Sequence, residues 1–370
     1  MLKKLISPLL LLTASLHAAP VFIGTNTGKN SASKGIYLAD FDSATGKLTE
    51  PVLAAEYQNP GFLALHPTKP LLYACGAPTQ PFPDGSSSVA AFAIGENHGL
   101  KFLGESSAGG KGACHVAVDA TGGTVAVANY GDGSFSTIKL GEDGIPGAAV
   151  SLIKNTGTGP NLPRQEGPHA HGVYFDKTNK LLLVPDLGLD RVFVYSFDPD
   201  TSKLGDARPP ITCVPGSGPR HMAFSPDWQN IYILGELNSS VQAVNNGKDH
   251  FSLLDTISTL PMDFSGTNTT AEIEVHPNGR FVYASNRGHD SIAVYQRDEK
   301  TGALKGLQHA PCGGKTPRHF KIDPSGKWLL CAHQNSNTIS VLSLDPETGK
   351  LGEPANTVSS PSPICLLFGR

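Results

Sequence analysis

The chain has 370 residues, only 16% of them charged, with 41 glycines, 29 prolines and a formal net charge of −3. No run of like charges interrupts that balance, which excludes a nucleic-acid tail and a polybasic patch for anionic membranes. Abundant Gly and Pro at low charge density favour many short strands joined by tight turns, and the expected partner is a small molecule.

Residues 1–19 stand apart. Lys3 and Lys4 precede an apolar run from Leu5 to Leu16, and the small residues Ala18 and Ala19 follow. This is the layout of a secretory signal peptide, and the run is too short to span a bilayer. The expected organisation is a signal peptide at 1–19 and a single domain at 20–370, with the mature protein periplasmic or secreted and no longer tied to a membrane.

From there the chain repeats. Segments beginning near Gly61, Cys114, His171, Arg220, Glu272 and Arg318 share an apolar strand, a turn, a second apolar strand ending in Gly or Asn, and a third strand. The turns include His66-Pro67, Ser225-Pro226-Asp227, His276-Pro277-Asn278-Gly279 and Asp323-Pro324-Ser325-Gly326. Copies recur about every 50 residues, the period of propeller blades. DSATGKL from Asp42, DPDTSKL from Asp198, DEKTGAL from Asp298 and DPETGKL from Asp345 read as turns between the outer strands of a blade.

The two ends complete the pattern. Ile364 to Phe368 reads as a first strand, and Val21 to Thr25 with Ile36 to Phe41 as the second and third strands of the same blade. Joining them predicts an all-β, seven-bladed β-propeller closed by pairing of the N- and C-terminal strands, which removes the open sheet edges. Cys75, Cys114, Cys213, Cys312, Cys331 and Cys365 are predicted to be free thiols, several inside apolar strands. No two of them lie at zinc-ligand spacing, and no metal site is expected.

In a propeller the starts of first strands and the ends of second strands gather around the mouth of the central channel. Those columns place His171, Arg220, Glu272 and Arg318 with Glu236, Asn286 and Arg287 on one face. Arg220 and Glu236 belong to a single hairpin, in the stretch GPRHMAFSPDWQNIYILGELNSS. Paired only with each other, such charges contribute little to stability. Several Arg, a Glu and a His converging on one concavity suit an anionic, oxygen-rich small ligand.

The stretches HAHGVYFD, GPRHMAFSPD, GELNSSV, AEIEVHPNGRFVYASNRGHDSIAVY and TPRHFKIDPSGKWL carry a family likeness. The chain resembles the bacterial lactonases of the seven-bladed propeller type, the 6-phosphogluconolactonase family, which also includes the fungal carboxy-cis,cis-muconate cyclising enzymes. The likeness implies a lactone hydrolase acting on a small sugar or carboxylated lactone, without metal or cofactor, through His171, Arg220, Glu236 and Arg287. In that role His171, titrating near its ordinary pKa, is the general base, Arg220 and Arg287 hold the substrate anion and the developing oxyanion, and Glu236 orients them. Glu272, Asn286, Arg318, His169 and His221 are expected to assist substrate binding. The alternatives are a propeller that only binds a sugar acid or peptide, a muconate-lactone cyclising enzyme, and a calcium-dependent lactonase using Asn26, Asn129, Asp186 and Asn286. The nearby guanidinium groups disfavour the last.

Overall fold

The computed structural model describes residues 18–247 and 250–370. The reading of residues 1–17 as the body of a signal peptide falls outside the described residues; Ala18 and Ala19 open the first strand. Seven antiparallel sheets follow one another around a ring; in six the earliest strand lies at one end of the pairing order, and in the seventh that place is taken by the strand nearest the carboxy end. Blades 1 to 6 are numbered here by their inner strands: Phe62–Leu65, Ala113–Val118, Tyr174–Phe175, Pro219–Phe224, Thr269–Val275 and Pro317–Ile322. Among the described residues the one helical element is a 3-10 turn at Glu96–His98.

Blade 7 is the join. Pro363–Phe368 from the carboxy end pairs with Ala18–Thr25 from the amino end, with Val21 opposite Phe368 and Ile23 opposite Leu366. The amino-terminal strand then pairs with Gly35–Asp42, so both ends of the chain share one sheet.

Burial explains which strand sits where. Second strands such as Leu71–Gly76, Thr124–Asn129 and Asn230–Gly235 are buried at every residue. They are near-continuous apolar runs because a neighbouring blade covers each face. The outer strands are largely exposed, as in Lys203–Thr212. Fully buried Tyr73, Tyr232 and Tyr283 each send a hydroxyl into the next blade, donating to the carbonyls of Gly144, Gly302 and Gly349 at 2.9, 2.9 and 2.8 Å. Each ring supplies apolar area, about 1.5–3 kcal/mol for a large side chain, and its polar tip is satisfied.

The turn histidines also tie blades together. His66 Nε2 lies 3.1 Å from the carbonyl of Gly122, and His276 Nε2 lies 2.9 Å from that of Gly326. Gly122 has φ +74°, and a Cβ there would fall 2.3 Å from the His66 ring. Only glycine fits that turn without strain.

Candidate active site

The hairpin of blade 4 brings Arg220 and Glu236 to one rim, because Pro219 pairs with Gly235 at the open end of the two strands. Arg220 Nε donates to Glu236 Oε2 at 3.0 Å, and both residues are buried, at 3% and 5% exposure. Arg287 ends the second strand of blade 5 and places Nη2 3.0 Å from the same oxygen. Arg164, in the loop leading into blade 3, donates through Nη2 to Oε1 at 2.7 Å. Glu236 is therefore the point on which three guanidinium groups converge. Burial works to raise its pKa, but Arg287 and Arg220, with the bond from Arg164, outweigh it and hold the carboxyl well below the usual carboxylate range.

Arg318 adds a fourth positive charge, within electrostatic reach of Arg220, Arg287 and Glu236. It makes no hydrogen bond or ion pair among the described residues, and the Nε of Arg287 is buried without a partner. Burial and the neighbouring Arg220 and Arg287 push the Arg318 guanidinium down to about 9, still charged at neutral pH. Positive charge exceeds negative charge here. Two sets of N–H donors are left for a ligand.

His171 sits beside this group. Its Nε2 is 4.0 Å from Glu236 Oε2, and its Nδ1 is 3.8 Å from Cys114 Sγ. Burial, then repulsion from Arg220 and His221, pushes its pKa well below the ordinary imidazole range. The expectation of a titration near the ordinary value is thereby corrected: the ring is buried against cations, and it is neutral throughout the physiological range.

Beneath lies a layer of rings. Phe62 stacks on His115 at 4.1 Å between centroids and meets His221 and His319 edge-on at 5.7 and 5.6 Å. His221 Nδ1 donates to Glu272 Oε2 at 2.9 Å, and His319 Nε2 lies 3.2 Å from the same oxygen. Glu272 and His221 thus form the floor, not the mouth, of the site. On the far side of this belt a cavity of about 420 Å³ is lined by Tyr174, Phe224 and the ion-paired Glu274 and Lys321.

Burial depresses the belt imidazoles, His115 to about 3 and His319 to about 4, with His221 also well below its ordinary value. In the unfolded chain the same rings titrate at about 6.5. Between those values the unfolded state binds more protons, so stability falls as pH drops below about 6.5 and keeps falling towards the folded-state pKa values. The expected result is a melting temperature that is level from pH 7 to 8 and declines steeply below pH 6. Substituting His115 by Phe should make that decline shallower; an unaltered pH slope would contradict the assignment.

Two expected site residues are placed elsewhere. Asn286 is fully buried inside its blade, with Nδ2 donating to Thr259 O at 2.7 Å and to Ser291 Oγ at 3.2 Å, while Oδ1 accepts from Thr259 Oγ1 and Asn268. It stiffens the blade and does not join the cluster. His169 stacks on Tyr130 at 4.5 Å, and its Nδ1 and Nε2 lie 2.8 Å from Tyr130 O and 3.1 Å from Glu166 Oε1, so it supports the rim. Asn26, Asn129 and Asp186 are likewise engaged within their own turns and blades, by Gly28, by Ala108 and Ser134, and by His169 and Gly188. Arg164 and its neighbour Tyr130, 3.4 Å apart, were not anticipated as site residues. Arg164 lies just ahead of HAHG, in a connection that the repeat does not cover.

Residues 20–368 match the family model described as lactonase, 7-bladed beta-propeller. The chain belongs to the seven-bladed β-propeller lactonases. It is a lactone hydrolase by that membership, and the cluster around Glu236 is the lactonase's candidate site. A curated relative, the 6-phosphogluconolactonase of Bacillus subtilis (strain 168), is 34% identical over 350 residues, spanning 94% of this lactonase and 97% of the relative. Among solved structures, the Pseudomonas aeruginosa periplasmic gluconolactonase superposes with a TM-score of 0.87 at 27% identity, covering 95% of this chain and 99% of that one. A Lactobacillus plantarum protein gives a TM-score of 0.88 at 31% identity, covering 95% of this chain and all of the other.

Proposed function

We propose that this lactonase opens an anionic sugar lactone by direct attack of water, outside the cytosol. The observation that carries the reading is the charge imbalance: the guanidinium groups of Arg164, Arg220, Arg287 and Arg318 face the single carboxylate of Glu236, and Arg318 has no hydrogen-bond or ion-pair partner among the described residues. A carboxylate or phosphate on the substrate would complete the set through paired charge-assisted hydrogen bonds. The location and the division into a leader at 1–19 and a propeller at 20–370 rest on the lysine-led apolar amino terminus, and the periplasmic relative supports them.

In the proposed step, His171 Nε2 takes a proton from water as the water oxygen bonds to the lactone carbonyl carbon. The carbonyl oxygen becomes an oxyanion, which the free donor of Arg287 stabilises, while Arg318 holds the anionic group of the substrate. Collapse breaks the bond to the ring oxygen, and the imidazolium returns its proton to that leaving oxygen, giving the open hydroxy acid. Part of the depression of His171 is repulsion from Arg220 and Arg318. A bound anion offsets that repulsion and raises the basicity of the ring when substrate is present. Glu236 holds Arg220 and Arg287 in place.

Arg318→Gln tests the substrate class. With a phosphorylated or carboxylated lactone, KM should rise roughly 10- to 100-fold, the loss expected for a charge-assisted pair, while kcat changes little. With uncharged gluconolactone the same variant should behave like the parent. An equal loss on both substrates would overturn the anionic reading.

A further inference from the structure

Outside the cluster around Glu236, three soft donors meet. Cys331 and His333 are two residues apart on the second strand of blade 6, Trp328–His333, and so project from the same face of it. Cys312 reaches them from the linker between the outer strand of blade 5, Leu304–Pro311, and the inner strand of blade 6. One ligand atom from each of the three lies within 4.8 Å of the others, and all three residues are fully buried.

The other blades show what is unusual here. At the position of His333, blades 2 and 5 carry Asn129 and Asn286, whose amides donate to the linker carbonyls of Ala108 and Thr259 at 3.1 and 2.7 Å. Each amide thereby fastens the incoming linker to the second strand. In blade 6 that fastening is missing. His333 Nε2 is buried with no hydrogen-bond partner among the described residues, and the carbonyl of Cys312 keeps only the serine bond, from Ser340 Oγ at 2.5 Å, that Ser136 makes to Ala108 beside the amide in blade 2. The linker nevertheless lies flat on the imidazole: a Cβ on Gly314 would fall 2.4 Å from the His333 ring, and Gly313 has φ +85°. An orphaned buried nitrogen costs about 1–3 kcal/mol, which packing of three apolar side chains would not explain.

We infer that Cys312, Cys331 and His333 supply three of the four ligands of a zinc site that fastens the linker entering blade 6 to its second strand. Sulfur and imidazole donors suit zinc and are poor ligands for calcium or magnesium. A tetrahedral site places its sulfurs about 3.8 Å apart, which small side-chain rotations from the present spacing provide. Two thiolates and one neutral imidazole around Zn²⁺ carry no net charge, as a site among Phe281, Phe320 and Leu329 requires. Cys312 Sγ lies 3.0 and 3.3 Å from the carbonyl oxygens of Asp290 and Gly314 as a hydrogen-bond donor, so its proton must leave before the sulfur can hold the ion. The ion would enter during folding, displacing the thiol protons to solvent. The fastened linker leads directly into Pro317 and Arg318, so the site would hold that arginine on station.

The test uses the full mature chain, purified under reducing conditions without chelator. Elemental analysis should find about one zinc per chain, and cobalt substitution should give a thiolate-to-metal charge-transfer band. His333→Asn restores the amide of the other blades, so it should fold while losing zinc affinity by more than about a hundredfold. Cys331→Ser should lose the charge-transfer band. Metal-free reduced parent, zinc retained in both variants, or a Cys312–Cys331 disulfide in the unreduced protein would each overturn the inference.

Discussion

Replacing Glu236 by Gln is expected to cost the protein both stability and turnover, the largest combined loss at the site. The side chain keeps its shape but loses its charge, and Arg220 and Arg287 are left buried against each other without a counter-ion. Stranding one member of a buried ion pair costs about 3–5 kcal/mol. Differential scanning fluorimetry should therefore record a fall in melting temperature of roughly 5–15 °C. Turnover should fall by about a thousandfold, because the donors for the oxyanion lose their alignment. A further signature separates this cause from a packing defect. Added sulfate or phosphate should restore part of the stability of Glu236→Gln, since a free anion can occupy the place of the lost charge, and should do little for the parent. Parental melting together with parental turnover would remove Glu236 from its central place.

The second large effect is expected at His171. His171→Ala should lower kcat by about 10²- to 10⁴-fold, the range for deleting a general base. The melting temperature at neutral pH should move much less than in Glu236→Gln, because no buried charge is stranded. The pH profile carries the more specific signal. Activity requires the neutral ring, and the folded enzyme holds His171 well below its ordinary pKa. The parent's kcat/KM should then be level from pH 6.5 to 8 and fall only on the acid side. If a bound anion relieves the repulsion from Arg220, the acid limb of kcat should lie at higher pH than that of kcat/KM. Unchanged turnover in His171→Ala would eliminate the imidazole as the base.

The blade pattern could be read from the chain because each blade spells out its own local chemistry: an apolar strand, a turn residue that cannot be anything else, and a strand buried on both faces. Ring closure followed from counting, since Ile364–Phe368 lacks a second strand and Val21–Thr25 lacks a first. The site was legible only where it fell on the repeat. Arg220, Glu236 and Arg287 occupy repeated positions at strand ends. Arg164 comes from a connection without a counterpart in other blades, and no spacing rule points to it. Asn286 was misplaced for a simpler reason. Neighbouring residues on a strand face opposite ways, so Arg287 turns to the axis and Asn286 turns into the blade. The depressed titration of His171 depends on exclusion of water by His221, Tyr130 and Cys114, three residues distant in the chain. Cys312 and Cys331 meet for the same reason of distance, across a linker and two strands.

Blade 7 also constrains the order of assembly. Its inner strand, Pro363–Phe368, is made after those of the other six blades, yet it pairs with Ala18–Thr25, which is made before them. A polypeptide synthesised, or threaded across a membrane, from its amino end onward must therefore wait with that early strand unmated until the inner strand emerges. The other blades are free to form in any sequence; the seventh can only be the closing act. A chain of this design remains an open arc until that strand has been delivered.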